Sequence, residues 1–384
     1  MSEYQYYEFL AIDRPLDKAA QKELRALSSR ARITATSFTN TYEWGDFNGD
    51  PDALMEEWFD LHLYLANWGS RRLMLRVPER LIDRGLVETC LVEPEFATFR
   101  VAGDDLVLDV NRMELDVDRD DGSEWLAPLA PLRADLLAGD SRLLYLIRLM
   151  AVEYDVVGAD TPEPLPGLGP LTGALEAFAA FFCIDSDLVA AAAERQAVTG
   201  GDTIPPDAAG VAIASLTDGE KLAFLARLFD GDPHVGAELR AAVRQRLSVN
   251  RTTTEVPRRT AGDLKARGDA IRLARKQEVE RMEAEARERL AREQDEARRE
   301  RLLAIARRGE GVWRDVEAEI GRGNATGYDR AVGLLLDLRT VARQRDALAE
   351  FDRRVAEIRE QNARKAKFLE RIDRAELTPQ VVPA

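Results

Sequence analysis

His62 is one of only two histidines in the chain, and Glu57 and Asp60 lie close to it in sequence. A histidine among carboxylates suits general acid–base chemistry, provided a reacting group can reach it. Glu43, Asp46, Asp60 and His62 together make the one set on which an enzyme reading rests, because acids crowded in a cleft acquire shifted pKa values. On a helix, Asp60 and His62 would sit on different faces and form no local dyad, so a structural role is preferred for His62. His234 follows Asp232-Pro233 and reads as a turn or capping residue. Asp46, Asn48, Asp50 and Asp52, with Glu57 in twelfth place, imitate a calcium loop, but Pro51 occupies the sixth place, where glycine makes the turn. The acidic run at 116–122 lacks the terminal glutamate. Gly167-Leu-Gly169 has neither a preceding strand nor the Gly-Lys-Ser/Thr ending of a phosphate loop. Two histidines and two cysteines do not make a zinc site, and both Cys90 and Cys183, set among apolar residues, read as buried free thiols. The chain therefore calls for no catalytic residue, no metal and no cofactor.

Charge separates the chain into two parts. Residues 1–250 carry 23 basic and 43 acidic groups, and residues 251–384 carry 31 basic and 26 acidic. The acidic part repels phosphates. In the other part Arg272, Arg275, Lys276, Arg298 and Arg299 are the candidate nucleic-acid contacts, but glutamates interleave with them, and a solvated, salt-bridged helix is the preferred reading. The aromatic set Tyr4, Tyr6, Tyr7, Phe9, Tyr42, Trp44 and Phe47 reads as core or partner contact rather than as a base-stacking face, with few basic residues nearby.

The elements that must position these residues are of two kinds. Residues 1–125 read as an α/β sandwich. Strands are expected at 4–12, 32–44 and 71–77, with a hairpin about Gly103-Asp104-Asp105. Helices are expected at 15–28 and, started by Asp50-Pro51, at 51–68. Two crossovers would make part of the sheet parallel. Residues 126–250 read as a helical domain, with a buried stretch at 171–196 and a loop at 200–210. Residues 251–311 read as a polar linker and a long charged helix without a sustained heptad, and 312–377 as a helical tail module. The fold class is α+β.

In the tail, Trp313, Leu335, Leu338, Val341, Leu348 and Phe351 form an apolar stripe that needs a counterpart. The sparse stripe of 264–303 is the nearest, reached by an antiparallel return at 321–327, with apolar surface left over for a protein partner or a second copy. The opening segment (YQYYEFLAIDRPLDKAAQKELRAL, YEWGDFNGDP, LHLYLANWGSRRLMLR) resembles an uncharacterised bacterial family. The segment 313–377, through Tyr328, Leu335, Asp337, Leu338, Phe351, Lys365, Phe368, Leu369 and Arg371, resembles the C-terminal helical tail of bacterial SWIM zinc-finger proteins. That family's Cys-x-Cys and Cys-x-His ligands are absent, so the resemblance implies a helical contact module without zinc. The opening residues show no basic segment followed by an apolar one, and Glu176, Asp185 and Asp187 interrupt the most apolar stretch. The expectation is a cytoplasmic, non-catalytic adaptor or scaffold that contacts a protein through its C-terminal helices. A nucleic-acid accessory factor comes second and an enzyme third.

Overall fold

Alternation along the first strand sets the plan of the sheet. In β1 (Gln5–Leu10), Tyr6 and Leu10 face one layer of helices, while Tyr7 and Phe9 face another. The computed structural model describes residues 3–117, 120–197, 205–248 and 257–377, and the chain divides into two compact units, Met1–Arg275 and Lys276–Ala384.

The first unit continues with α1 (Lys18–Leu27), capped by the Asp17 side chain, and a hairpin of β2 (Arg32–Ile33) and β3 (Ser37–Tyr42). Then follow α2 (Pro51–Glu57), β4 (Leu61–Ala66), β5 (Ser70–Pro78), α3 (Arg84–Cys90), β6 (Ala97–Ala102) and β7 (Asp105–Arg112). Asp50 and Pro51 start α2 as expected. That helix stops at Glu57, however, and residues 61–66 form a strand, so His62 stands on a strand and not on a helix. Leu61, Leu63 and Leu65 alternate with His62 and Tyr64, a period of two that a helix cannot use.

The seven strands run in the order β2-β3-β1-β4-β5-β7-β6, and every pairing is antiparallel. This corrects the expected parallel part. β3 and β4, joined through α2, do run the same way, but β1 lies between them and pairs antiparallel with both.

Leucines and valines of β4, β5 and β7 bury one face of the sheet beneath α4 (Leu126–Leu129), α5 (Pro131–Leu137), α6 (Arg142–Glu153), α7 (Gly173–Phe181) and α8 (Ser186–Ala193). α6 is buried nearly all round, as its apolar composition requires. The other face packs Phe9, Phe38, Met74 and Val107 against Leu24, Leu54 and Met55 of α1 and α2. Cys90 is buried, and burial pushes its thiol up to about 12. Cys183 is exposed, contrary to expectation: Phe181 and Phe182 turn inward, and Cys183 follows in a left-handed conformation (φ 50°).

α9 (Pro206–Ala214) occupies part of the segment expected to be a loop; residues 200–204 lie outside the described residues. α10 (Asp218–Phe229) and α11 (Val235–Ser248) follow. Then α12 (Ala261–Arg308) runs for 48 residues. Within the first unit the segment leading into it is held through Glu163, which is buried. That carboxylate accepts from the Tyr145 hydroxyl at 2.5 Å, and from the Arg259 amide at 3.0 Å and guanidinium at 3.0 Å. From Arg272 to Arg301 every residue of α12 is exposed.

In the second unit Leu302 and Ile305 of α12 pack with α13 (Glu310–Gly321), α14 (Ala325–Gln344), α15 (Leu348–Gln361) and α16 (Ala366–Arg374) around a core of their own. No helix among the described residues is long and apolar enough to cross a membrane.

Candidate interaction surface

α10 is built inside out. Thr217 and Glu220 start it with a reciprocal capping box. At 3.6 residues per turn, Leu222, Leu225, Leu228 and Phe229 share one face, and Glu220 and Arg227 lie on the opposite one. Normally such an apolar face turns inward. Here Glu220 pairs with Arg246 of α11 at 2.7 Å, and Arg227 pairs with Glu238 of α11 and with Asp232, each at 2.5 Å. The four apolar side chains are 68%, 61%, 62% and 91% exposed, and no residue of the helix is buried. Val211 of α9 adds a further exposed side chain.

Polar contacts also fix this helical pair to the body of the first unit. Arg80 reaches Glu238 at 2.5 Å, and Nε2 of His234 lies 2.9 Å from Oδ2 of Asp13. His234 is thus the expected turn residue, its amide donating to Asp232 at 2.8 Å, and also a tie to the segment after β1. Burial would raise the pKa of Asp13, but hydrogen bonds from His234 and Arg133 outweigh it and hold the carboxyl far below the usual range. Hydrogen bonds from Arg227, and then Arg80, outweigh burial and hold Glu238 low. The ionic side of α10 is therefore well matched, and its apolar side lacks a counterpart among the described residues.

The residues of the enzyme reading do not converge. Asp60 is fully buried, accepts from the Ile12 and Asp13 amides at 2.6 and 2.9 Å, and pairs with Arg76 at 2.9 Å. His62 is also fully buried, stacked on Phe9 at 3.9 Å, with Nδ1 3.0 Å from the Glu8 carbonyl oxygen. Burial, with the Arg72 charge second, lowers its pKa to about 3. Asp46 accepts from Gln5 at 3.2 Å, and Glu43 lines an open cleft of about 1010 Å³ with Arg71, Asp120 and Trp125. In that cleft Arg71 is held between the Trp125 and Phe181 rings, at 5.2 and 4.9 Å. Among the described residues no three histidine, cysteine or carboxylate groups are placed to hold a metal ion.

Of the five basic candidates, Arg272 pairs with Asp185 and, at 3.3 Å, with Asp187, and Arg275 pairs with Asp187 at 2.8 Å. Lys276, Arg298 and Arg299 are exposed on α12 among glutamates.

The tail stripe is used within its own unit. Trp313, Leu335, Leu338, Val341 and Phe351 are buried in the core of the second unit, and Leu348 is half-buried. Their counterparts are α13, α15 and α16, together with Leu302 and Ile305; Leu264 belongs to the core of the first unit. The expected return of this stripe along 264–303 is therefore corrected: a long helix exposed on every side offers no surface to bury against. Trp313, Leu338, Val341 and Phe351 still floor a groove of about 170 Å³, and Arg354 lies over the Trp313 ring at 4.6 Å.

Sequence reasoning missed Leu222, Leu225, Leu228 and Phe229. Their amphipathic spacing was visible, but an apolar stripe is ordinarily an inner face. Compared with models of protein families, with curated proteins and with solved structures, the chain matches none.

Proposed function

We propose that this protein is a non-catalytic adaptor or scaffold that captures another protein on the exposed apolar face of α10. The observation that carries the reading is the inversion of that helix: its charged side chains are paired inward, and Leu222, Leu225, Leu228 and Phe229 face water. Four large apolar side chains exposed together amount to several hundred Å², on the order of the patches that mark interaction sites on monomers. The separate placement of Glu43, Asp46, Asp60 and His62 supports the preference for adaptor over enzyme. The docking face thus moves from the C-terminal stripe, which is internal, to the helical pair before α12.

A photo-crosslinking residue at Leu225, expressed in the native host, tests this. One defined adduct is expected from Leu225, and none from an equivalent residue at Arg289 on the exposed part of α12. The Leu225 adduct disappears when Phe229→Asp is added. Equal labelling from both positions, or an adduct insensitive to Phe229→Asp, contradicts the proposal.

A further inference from the structure

We infer that the outward face of α10 receives an amphipathic helix of another protein whose apolar stripe is flanked by lysine or arginine. The inference rests on the docking reading above and adds the chemistry of the partner. Leu222, Leu225 and Phe229 lie three and seven positions apart along an uninterrupted helix, so they form a ridge that fits the groove of a second helix.

The side chains at the two ends of the ridge are carboxylates, Asp218 in an exposed ion pair with Lys221 of its own helix and Asp230 at the other end. Asp218 lies one turn before Leu222 on the same face and is fully exposed; Asp230 directly follows Phe229 and is exposed. Lys221, the cation beside the ridge, is turned back onto the Ala214 carbonyl at 3.1 Å and lies 3.5 Å from Asp218. Arg227 is engaged on the inner side. Residues 1–250, with 23 basic and 43 acidic groups, carry the same sign.

These charges separate three occupants. In a second copy, an antiparallel α10 pair sets Asp218 against Asp230 of the mate, and a parallel pair sets each aspartate against itself. Both arrangements place like charges at the ends of the contact, which is costly. An anionic bilayer meets the same repulsion. A helix with basic flanks meets opposite charge at each end and apolar surface between them.

The probe is a displayed library of helical peptides with a fixed leucine stripe and randomised flanks, selected against the whole protein. The selected peptides are expected to be rich in Lys and Arg at the flanks and to bind less tightly as salt rises. Phe229→Asp, at a side chain 91% exposed and therefore neutral to folding, is expected to weaken them by about thirtyfold, the loss typical of an interface hot spot. The double variant Asp218→Lys with Asp230→Lys is expected to reverse the preference towards acidic flanks. Light scattering of the free protein is expected to give a monomer mass, and vesicles with phosphatidylserine are expected to leave it unbound. Neutral or acidic winners, or a dimer or vesicle binding that Phe229→Asp abolishes, overturn the basic-helix inference and leave the docking face standing. Binding that is unchanged by Phe229→Asp in every arm overturns both.

Discussion

Arg71 and Arg112 stand opposite each other on β5 and β7; Arg71 ends at the last carbonyl of α7 and Arg112 at the two carbonyls that follow it. Arg71 donates to the Phe181 oxygen at 2.9 Å, and Arg112 donates to those of Phe182 and Cys183 at 2.6 and 3.0 Å. A cation there satisfies carbonyls without a helical partner and complements the helix dipole. Arg112 also holds Glu153 at 2.7 Å. Arg112→Met leaves that carboxylate without its cation and the carbonyls uncapped, so a loss of about 3 kcal/mol is expected in urea unfolding. Arg112→Lys should recover only part of it, because a point charge cannot reach all of the partners at once. A variant as stable as the wild type removes the capping argument.

His62 makes a second claim at this scale. Its folded pKa is lowered to about 3, while an unfolded histidine titrates near ~6.5. Between those values the unfolded chain binds a proton that the folded chain refuses. Stability from this group is therefore full above pH ~6.5 and falls as the pH drops towards the folded value, by roughly 1.4 kcal/mol per unit at most. Denaturant curves of the wild type and His62→Gln at pH 7 and pH 4 should differ by more at pH 7, because only the wild type has this term to lose. An equal difference at both pH values refutes the assignment.

The helices show how far local pattern reaches. β1, β5 and the β6–β7 hairpin were legible because alternation and a Gly103 turn are local signals. β4 was not: Leu61–Ala66 follows a genuine helix start with neither glycine nor proline between them, so the local pattern continues the helix. The expected parallel part of the sheet failed for another reason, since neighbouring strands are chosen by long-range packing and β1 comes between β3 and β4. The anchor of α12 was equally hidden, because Glu163 sits in a proline-rich segment and its partner Arg259 is 96 residues away. Of the candidate site, the start of α10 at Thr217 and its apolar spacing could be read, but not the direction in which the stripe points. Only the positions of Arg246 and Glu238 on α11 decide that.

α12 itself was read correctly as a charged helix. Over its exposed length it is supported by weak, solvent-screened pairs such as Arg281 with Glu285 at 3.1 Å. Proline in such a helix costs about 3 kcal/mol and breaks the turn before it. Ala286→Pro should therefore lower the far-ultraviolet helical signal and open amide exchange around 282–286, while both cores keep their protection. Loss of protection in β4, β5 or α14 would show that the exposed stretch supports a core after all.

At the scale of the molecule, the cores are separate in sequence. The buried clusters of the first unit end at Leu264, and that of the second begins at Leu302. Two cores that share no residue have no packing reason to unfold together, so a single cooperative transition is not expected. Leu335 gives the sharpest test, because it is fully buried and lies only in the second cluster. An aspartate there is a buried charge with no partner, a change that costs several kcal/mol, on the order of the whole stability of a small helical unit. In Leu335→Asp, amides of α13 to α16 should exchange at once. Those of β1 to β7 and α6 should keep wild-type protection, and the α10 face should still crosslink its partner from Leu225. Global exposure in this variant would mean that the second unit stabilises the first. Local exposure with loss of the Leu225 adduct would mean that the partner needs both units. Local exposure with the adduct retained assigns capture to the helical pair α10–α11 and leaves the C-terminal unit a different task.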